Sequence, residues 1–193
     1  NKLANETALK SLKGLEWASG IPGTIGGATI INAGCYGNEL FDSIIKIEIL
    51  KDNKFMTLGK NDIKYSYRYT ALKNNNIIVL KVYFQLEKTN KEELLSLIRE
   101  RTEKRLSTQP LNYSSAGSVF RNPVDDSAGR LIEEAGLKGK IIGGAKISDI
   151  HANFIINYNN ATNEDIIKLI NLIKKTIYQK YQIKLILEQE IIL

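Results

Sequence analysis

The chain has 193 residues, enough for one sizeable domain or two small ones with a substantial buried core. Its 43% hydrophobic and 25% charged residues exclude disordered or collagen-like classes. The net charge of +6 comes from lysines interspersed with Asp and Glu, which argues against nucleic-acid binding and suits small anionic ligands.

The opening stretch to about Leu12 reads as helical and runs into GLEWASGIPGTIGGATIINAGCYGNEL, an ordered glycine-rich loop flanked by apolar residues. Ile45, Ile47 and Ile49 alternate with Lys46 and Glu48, predicting a half-buried strand that pairs with Lys54 to Leu58 across a turn at Lys51-Asp52-Asn53. A long strand follows over Ile77 to Leu86, with Ile78, Leu80, Val82, Phe84 and Leu86 on one face. A boundary is expected between 88 and 89, dividing the chain into domains 1–88 and 89–193. Leu94, Leu95, Ile98 and Arg101 then fall at helical spacing, and Gln109-Pro110 ends that helix. Thr162 and Asp165 form a capping-box pattern ahead of Ile166, Ile167, Ile170, Ile173, Ile177 and Tyr181, and a final strand is expected over Lys184 to Leu193. Interspersed helices and strands with antiparallel pairing give an α+β class.

One cysteine, Cys35, excludes an internal disulfide, and one histidine, His151, excludes a Cys/His zinc site, so no metal centre is expected. No apolar run is long enough to span a bilayer, and NKLANETALK has no hydrophobic signal region, so the expectation is a cytoplasmic protein without membrane insertion. Within Gly20-Ile21-Pro22-Gly23-Thr24-Ile25-Gly26-Gly27, closely spaced glycines let backbone N–H groups approach a phosphate. The segment matches neither G-x-G-x-x-G nor the P-loop, and a tight buried turn without ligand is an equal local reading. On local pattern alone Ser118 is a turn residue, Arg68 a surface arginine at a strand end and Glu190 an exposed charge.

GIPGTIGG followed by Asn32-Ala33-Gly34-Cys35-Tyr36-Gly37 resembles the flavin-domain signature of the MurB family. Three further blocks match in order: Tyr67-Arg68-Tyr69-Thr70; Ser115-Ala116-Gly117-Ser118-Val119-Phe120-Arg121-Asn122-Pro123 with Ala128 to Glu133; and His151 to Asn157 ahead of Leu187-Glu188-Gln189-Glu190. The resemblance implies the remainder of a FAD-binding domain of the vanillyl-alcohol-oxidase/MurB type, followed by a smaller α+β substrate-binding domain. It implies that NADPH reduces bound FAD, which delivers hydride to UDP-N-acetylglucosamine enolpyruvate, giving UDP-N-acetylmuramate for peptidoglycan synthesis. No obligate protein partner is implied.

By the same resemblance Gly20, Ile21, Pro22, Gly23, Thr24, Gly26, Gly27, Asn32 and Gly34 contact FAD. Ser118 corresponds to the proton donor, Arg68 to the arginine that holds the substrate carboxylate or enolate oxygen, and Glu190 to the glutamate that stabilises or helps protonate the intermediate. Glu188 is the rival of Glu190, because an alternating strand puts both on one face; motif position selects Glu190. Tyr67, Arg68, Gly117 and Asn122 are the implied substrate contacts. His151 is expected in a structural hydrogen bond within its block, and Cys35 has no redox role.

Departures from the family pattern are Tyr69-Thr70 after Arg68, where a serine is usual at the second position, Ile191 in place of valine, and Ser107-Thr108-Gln109 in place of a substrate-contacting lysine. A tyrosine-bearing insertion after Leu86 is missing, which resembles the shorter of the family's two types. The family also carries a preceding glycine/serine-rich segment of the FAD site, so this chain is expected to lack the N-terminal part of that domain. Two other functions are compatible with such a chain: non-catalytic binding of a nucleotide sugar, and another flavin oxidoreductase on the same fold.

Overall fold

A computed structural model describes residues 1–73 and 76–192. It contains two compact units, Asn1–Arg105 and Leu106–Leu193. The first holds α1 (Lys2–Leu9), β1 (Leu12–Lys13), α2 (Ile25–Ile30), β2 (Gly34–Cys35), β3 (Asn38–Glu39), α3 (Leu40–Ser43), β4 (Ile44–Lys51), β5 (Lys54–Gly59), β6 (Tyr65–Ser66), β7 (Tyr69–Thr70), β8 (Ile77–Phe84), β9 (Glu87–Lys88) and most of α4 (Lys91–Thr108). The second holds β10 (Ser115–Ser118), α5 (Ala128–Glu134), β11 (Ile141–Ile142), β12 (Ala145–Ile147), β13 (Phe154–Asn157) and α6 (Asn163–Tyr181). The units divide later than the 88/89 boundary expected from sequence. Leu94 and Ile98 of α4 pack with Ala8 of α1, which ties the start of that helix to unit one.

The main sheet of unit one has the order β5-β4-β8 and is antiparallel. Lys51 faces Lys54, and Asp52 and Asn53, with φ of 48° and 58°, make the tight turn that matches strand twist. Two register shifts in the β4–β8 ladder alter the expected faces. At the first, between Ile44 and Lys46, Ile45 is turned out (47% exposed) while Ile44, Ile47 and Ile49 stay buried. At the second, Glu48 faces Lys81 and Ile49 faces Val79, leaving Leu80 as the extra residue of a bulge. The expected inward set Ile78, Leu80, Val82, Phe84 therefore holds only beyond the bulge. Before it, Ile77 and Val79 face the core of Leu15, Trp17, Leu40, Phe41, Ile44, Ile47 and Ile49, and Ile78 and Leu80 are exposed.

Unit two is an antiparallel sheet of order β10-β13-β12-β11 packed with α5 and α6. The capping box forms as expected: Thr162 Oγ1 accepts from the Asp165 amide at 3.2 Å, and Asp165 Oδ2 accepts from the Thr162 amide at 3.0 Å. Leu169, Ile170, Ile173 and Ile177 then bury one face of α6. The expected strand over Lys184 to Leu193 reduces to an isolated bridge, Phe120 to Leu187, flanked by bonds from Arg121 N to Ile186 O and from Glu188 N to Val119 O. Only this short stretch finds a partner ladder; Leu193 lies outside the described residues.

Candidate active site

The glycine-rich segment of unit one is a loop over residues 20–24 followed by α2, where the sequence suggested continuous loop. Thr24 caps α2, its Oγ1 accepting from the Gly27 amide at 3.1 Å, so Gly26 and Gly27 occupy the first helical turn. Gly20 and Gly23 have φ of 79° and 119°, a region that L side chains avoid. Among the described residues no atom lies within 4 Å of where a Cβ would stand on Gly23 or on Gly37 of the neighbouring turn, so the space in front of both is open. Pro22, Gly23 and Thr24 are exposed, whereas Ile21 packs against the core. Ser19, just ahead of the loop, has a buried hydroxyl oxygen without a hydrogen-bond partner among the described residues.

Asn32 is fully buried with φ of 47°. Its Nδ2 donates to Glu39 Oε2 at 2.6 Å and to Ser66 O at 3.2 Å, and its Oδ1 accepts from the Phe41 amide at 3.2 Å. The side chain expected to touch a cofactor is thus committed inward, where it ties the NAGCYG turn to the β6–β7 hairpin. Tyr67 and Arg68 form the two-residue loop of that hairpin, since Ser66 faces Tyr69. Arg68 has φ of 55°, uncommon for a long side chain and characteristic of residues held in place at sites. Its Nη2 donates to the Gly34 carbonyl at 2.6 Å, and the guanidinium sits 5.1 Å from the Tyr67 ring. A Cβ on Gly34 would stand 2.4 Å from Asn38 O and 3.1 Å from Arg68 Nη1, so glycine is required there for contact rather than for φ. Unit one thereby brings Asn32, Gly34, Tyr67 and Arg68 together.

Sequence reasoning missed Arg105, whose Nη2 lies 4.0 Å from Cys35 Sγ and whose Cδ would lie 3.3 Å from a Cβ on Gly20. One turn earlier Arg101 stacks over the Tyr36 ring at 4.8 Å. The available signal was the four-residue spacing of two arginines on a predicted helix.

In unit two Ser118 ends β10 opposite Phe154. Between Ser115–Ile156 and Ser118–Phe154 the strand β10 has one residue more than β13, a bulge in which Gly117 takes φ of 77°. No atom of the described residues lies within 4 Å of a Cβ built on Gly117, so the space beside that residue is open. Asn122 is exposed and its Oδ1 accepts from the amide of Ala128, the first residue of α5, at 3.1 Å, while Ser127 caps that helix; the Asn122 amide nitrogen is left for other contacts. Glu188 is half-buried and Glu190 exposed; with pairing confined to the bridge, the alternation argument for a shared face does not apply. In unit two the Glu188 amide donates to Val119 O and Gln189 Nε2 to Gly117 O, on either side of Ser118. Arg68 belongs to unit one.

His151 has the expected structural role: its Nδ1 accepts from the Asn153 amide at 3.2 Å and its ring meets Phe154 edge-on at 4.9 Å. Burial lowers its pKa below the ordinary value. The ring also lies 3.2 Å from where a Cβ on Gly129 of α5 would stand. No His/Cys/Asp/Glu cluster among the described residues could hold a metal ion, and none of their helices is long and apolar enough to cross a membrane.

Residues 109–192 match the family described as UDP-N-acetylenolpyruvoylglucosamine reductase, C-terminal domain. The UDP-N-acetylenolpyruvoylglucosamine reductase of Caldanaerobacter subterraneus subsp. tengcongensis is 45% identical over 191 residues, covering 98% of this chain and 63% of that protein. The Bacillus subtilis protein of the same name is 42% identical over 193 residues, covering 99% of this chain and 64% of that relative. The chain therefore spans less than two thirds of the length of these relatives. The crystal structure of UDP-N-acetylenolpyruvylglucosamine reductase (MurB) from Thermus caldophilus superposes with a TM-score of 0.87 at 36% identity, covering 98% of this chain and 68% of that one. Similarity of backbone and sequence over nearly the whole chain shows that it belongs to the UDP-N-acetylenolpyruvoylglucosamine reductase (MurB) family.

Proposed function

We propose that this chain carries the substrate-reducing machinery of a FAD- and NADPH-dependent enzyme that converts UDP-N-acetylglucosamine enolpyruvate to UDP-N-acetylmuramate, a cytoplasmic step of peptidoglycan precursor synthesis. The residues fit a flavin diphosphate: among the described residues nothing fills the space where a Cβ would stand on Gly23 or Gly37, and the buried Ser19 hydroxyl has no partner. Gly20, Ile21, Pro22, Gly23, Thr24, Gly26, Gly27 and Gly34 are the backbone that would hold it, with Asn32 shaping the turn from within. Bound FAD supplies hydride, taken from NADPH, to one carbon of the enolpyruvyl double bond.

That addition leaves negative charge on the carbon bearing the carboxylate, delocalised into it as an enolate, and charge must be met where it develops. Arg68, a fixed cation already anchored to the Gly34 carbonyl, meets the carboxylate or enolate oxygen. Ser118 gives its proton to the other carbon and recovers one from water, while Glu190 supports the intermediate. Tyr67, Gly117 and Asn122 line the substrate. The observation that carries this reading is the Gly117 bulge, which presents Ser118 with open space beside it.

The test uses the full-length protein purified with FAD. NADPH oxidation should require the enolpyruvyl sugar nucleotide, and Ser118→Ala should lower turnover by at least about 100-fold while flavin reduction by NADPH persists. Oxidation of NADPH at the same rate without the sugar nucleotide, or full turnover by Ser118→Ala, would rule the reading out.

A further inference from the structure

Residues 186–189 run antiparallel to 117–121, with Arg121 N donating to Ile186 O and Glu188 N to Val119 O, both at 2.9 Å. In an unbroken ladder the next bond on this edge would join the Glu190 amide to the Gly117 carbonyl. The Gly117 carbonyl instead accepts from Gln189 Nε2 at 3.1 Å, and Glu190 is exposed. A side chain has taken the place of the backbone donor. Gly117 is the left-handed residue of the bulge, and its peptide joins directly to Ser118. A bulged peptide lacks the ladder bonds that fix its neighbours, so an external donor on its carbonyl restricts rotation of the peptide that carries the serine.

We infer that Gln189 is a positioning residue for proton delivery: its amide pins the bulge carbonyl beside Ser118 and ends the ladder one residue before Glu190, setting the hydroxyl and the carboxyl relative to each other. The inference rests on the reductase reading above. Methionine at 189 is as long as glutamine and has no donor, so it removes the anchor while keeping the bulk.

In the full-length protein, flavin is first reduced with NADPH without oxygen and then mixed with the enolpyruvyl sugar nucleotide. Gln189→Met should slow flavin reoxidation by at least about tenfold, because small misplacements of reacting groups carry large rate costs. It should also raise the solvent deuterium isotope effect, while flavin reduction by NADPH and the melting temperature match wild type. Hydrogen exchange gives a second readout without turnover: the Glu188 amide should exchange faster in Gln189→Met. Reoxidation within about twofold of wild type with an unchanged isotope effect, or unchanged exchange at Glu188, overturns the positioning role. Failure of the wild-type reduced flavin to react with the sugar nucleotide overturns the reductase reading and this role with it.

Discussion

Single residues here act through the backbone as much as through their own chemistry. His151 Nδ1 accepts a hydrogen bond from the Asn153 amide, and burial lowers its pKa below the ordinary 6.5. The unfolded chain therefore takes up a proton before the folded one does. The contribution of this residue to stability is complete above the unfolded value and is lost as pH falls through it toward the lower folded value. Urea midpoints of unit two should drop between about pH 7.5 and 5, and His151→Gln, which keeps an acceptor without a titrating ring, should flatten that slope. Equal slopes for the two proteins would show that other groups govern acid stability. Arg68, Ser118 and Glu190 are singled out by the resemblance of their surrounding blocks to a family; locally each reads as an ordinary hairpin, loop or terminal residue. Asn32 was legible as part of the turn but not in direction. A polar residue at positive φ can face a ligand or the protein, and its inward bonds to Glu39 and Phe41 join positions that sequence spacing does not connect.

At the level of elements, helices were the easier reading. The capping box and apolar spacing of α6 mark both its start and its buried face, and Ile173 is fully buried there. Ile173→Ala should cost about 2–5 kcal/mol in unit two, read from chemical denaturation, with α6 still formed at its capped end. A loss below about 1 kcal/mol would mean that the site collapses onto the smaller side chain. The strands were harder because β4 and β8 are apolar on both faces for part of their length. Ile44-Ile45 and Ile77 to Leu80 permit either register, and the bulges at Ile45 and Leu80 decide which residues turn inward. The bulge at Gly117, directly before Ser118, was equally silent in sequence.

For the molecule as a whole, the sheet of unit one leaves an apolar row uncovered: Phe55 and Ile78 flank Leu50 across the strands, at 80% and 59% exposure, with Leu80 nearby at 44%. The chain by itself should bind an apolar dye and sediment heavier with rising concentration, and Phe55→Lys should reduce both effects. A monomer without dye binding would remove the idea. The compact units divide after Arg105 because the early turns of α4 pack back onto α1, a contact between helices far apart in the chain. Sequence distance has one more consequence at the Phe120–Leu187 bridge. The two sides of this pairing are separated by all of α5, β11, β12, β13 and α6, so bringing them together requires closing a long loop whose entropy is lost before the contact gains anything. In refolding, α6 and its packing should therefore form before β10 meets the 186–189 segment, making assembly of this edge a late kinetic event.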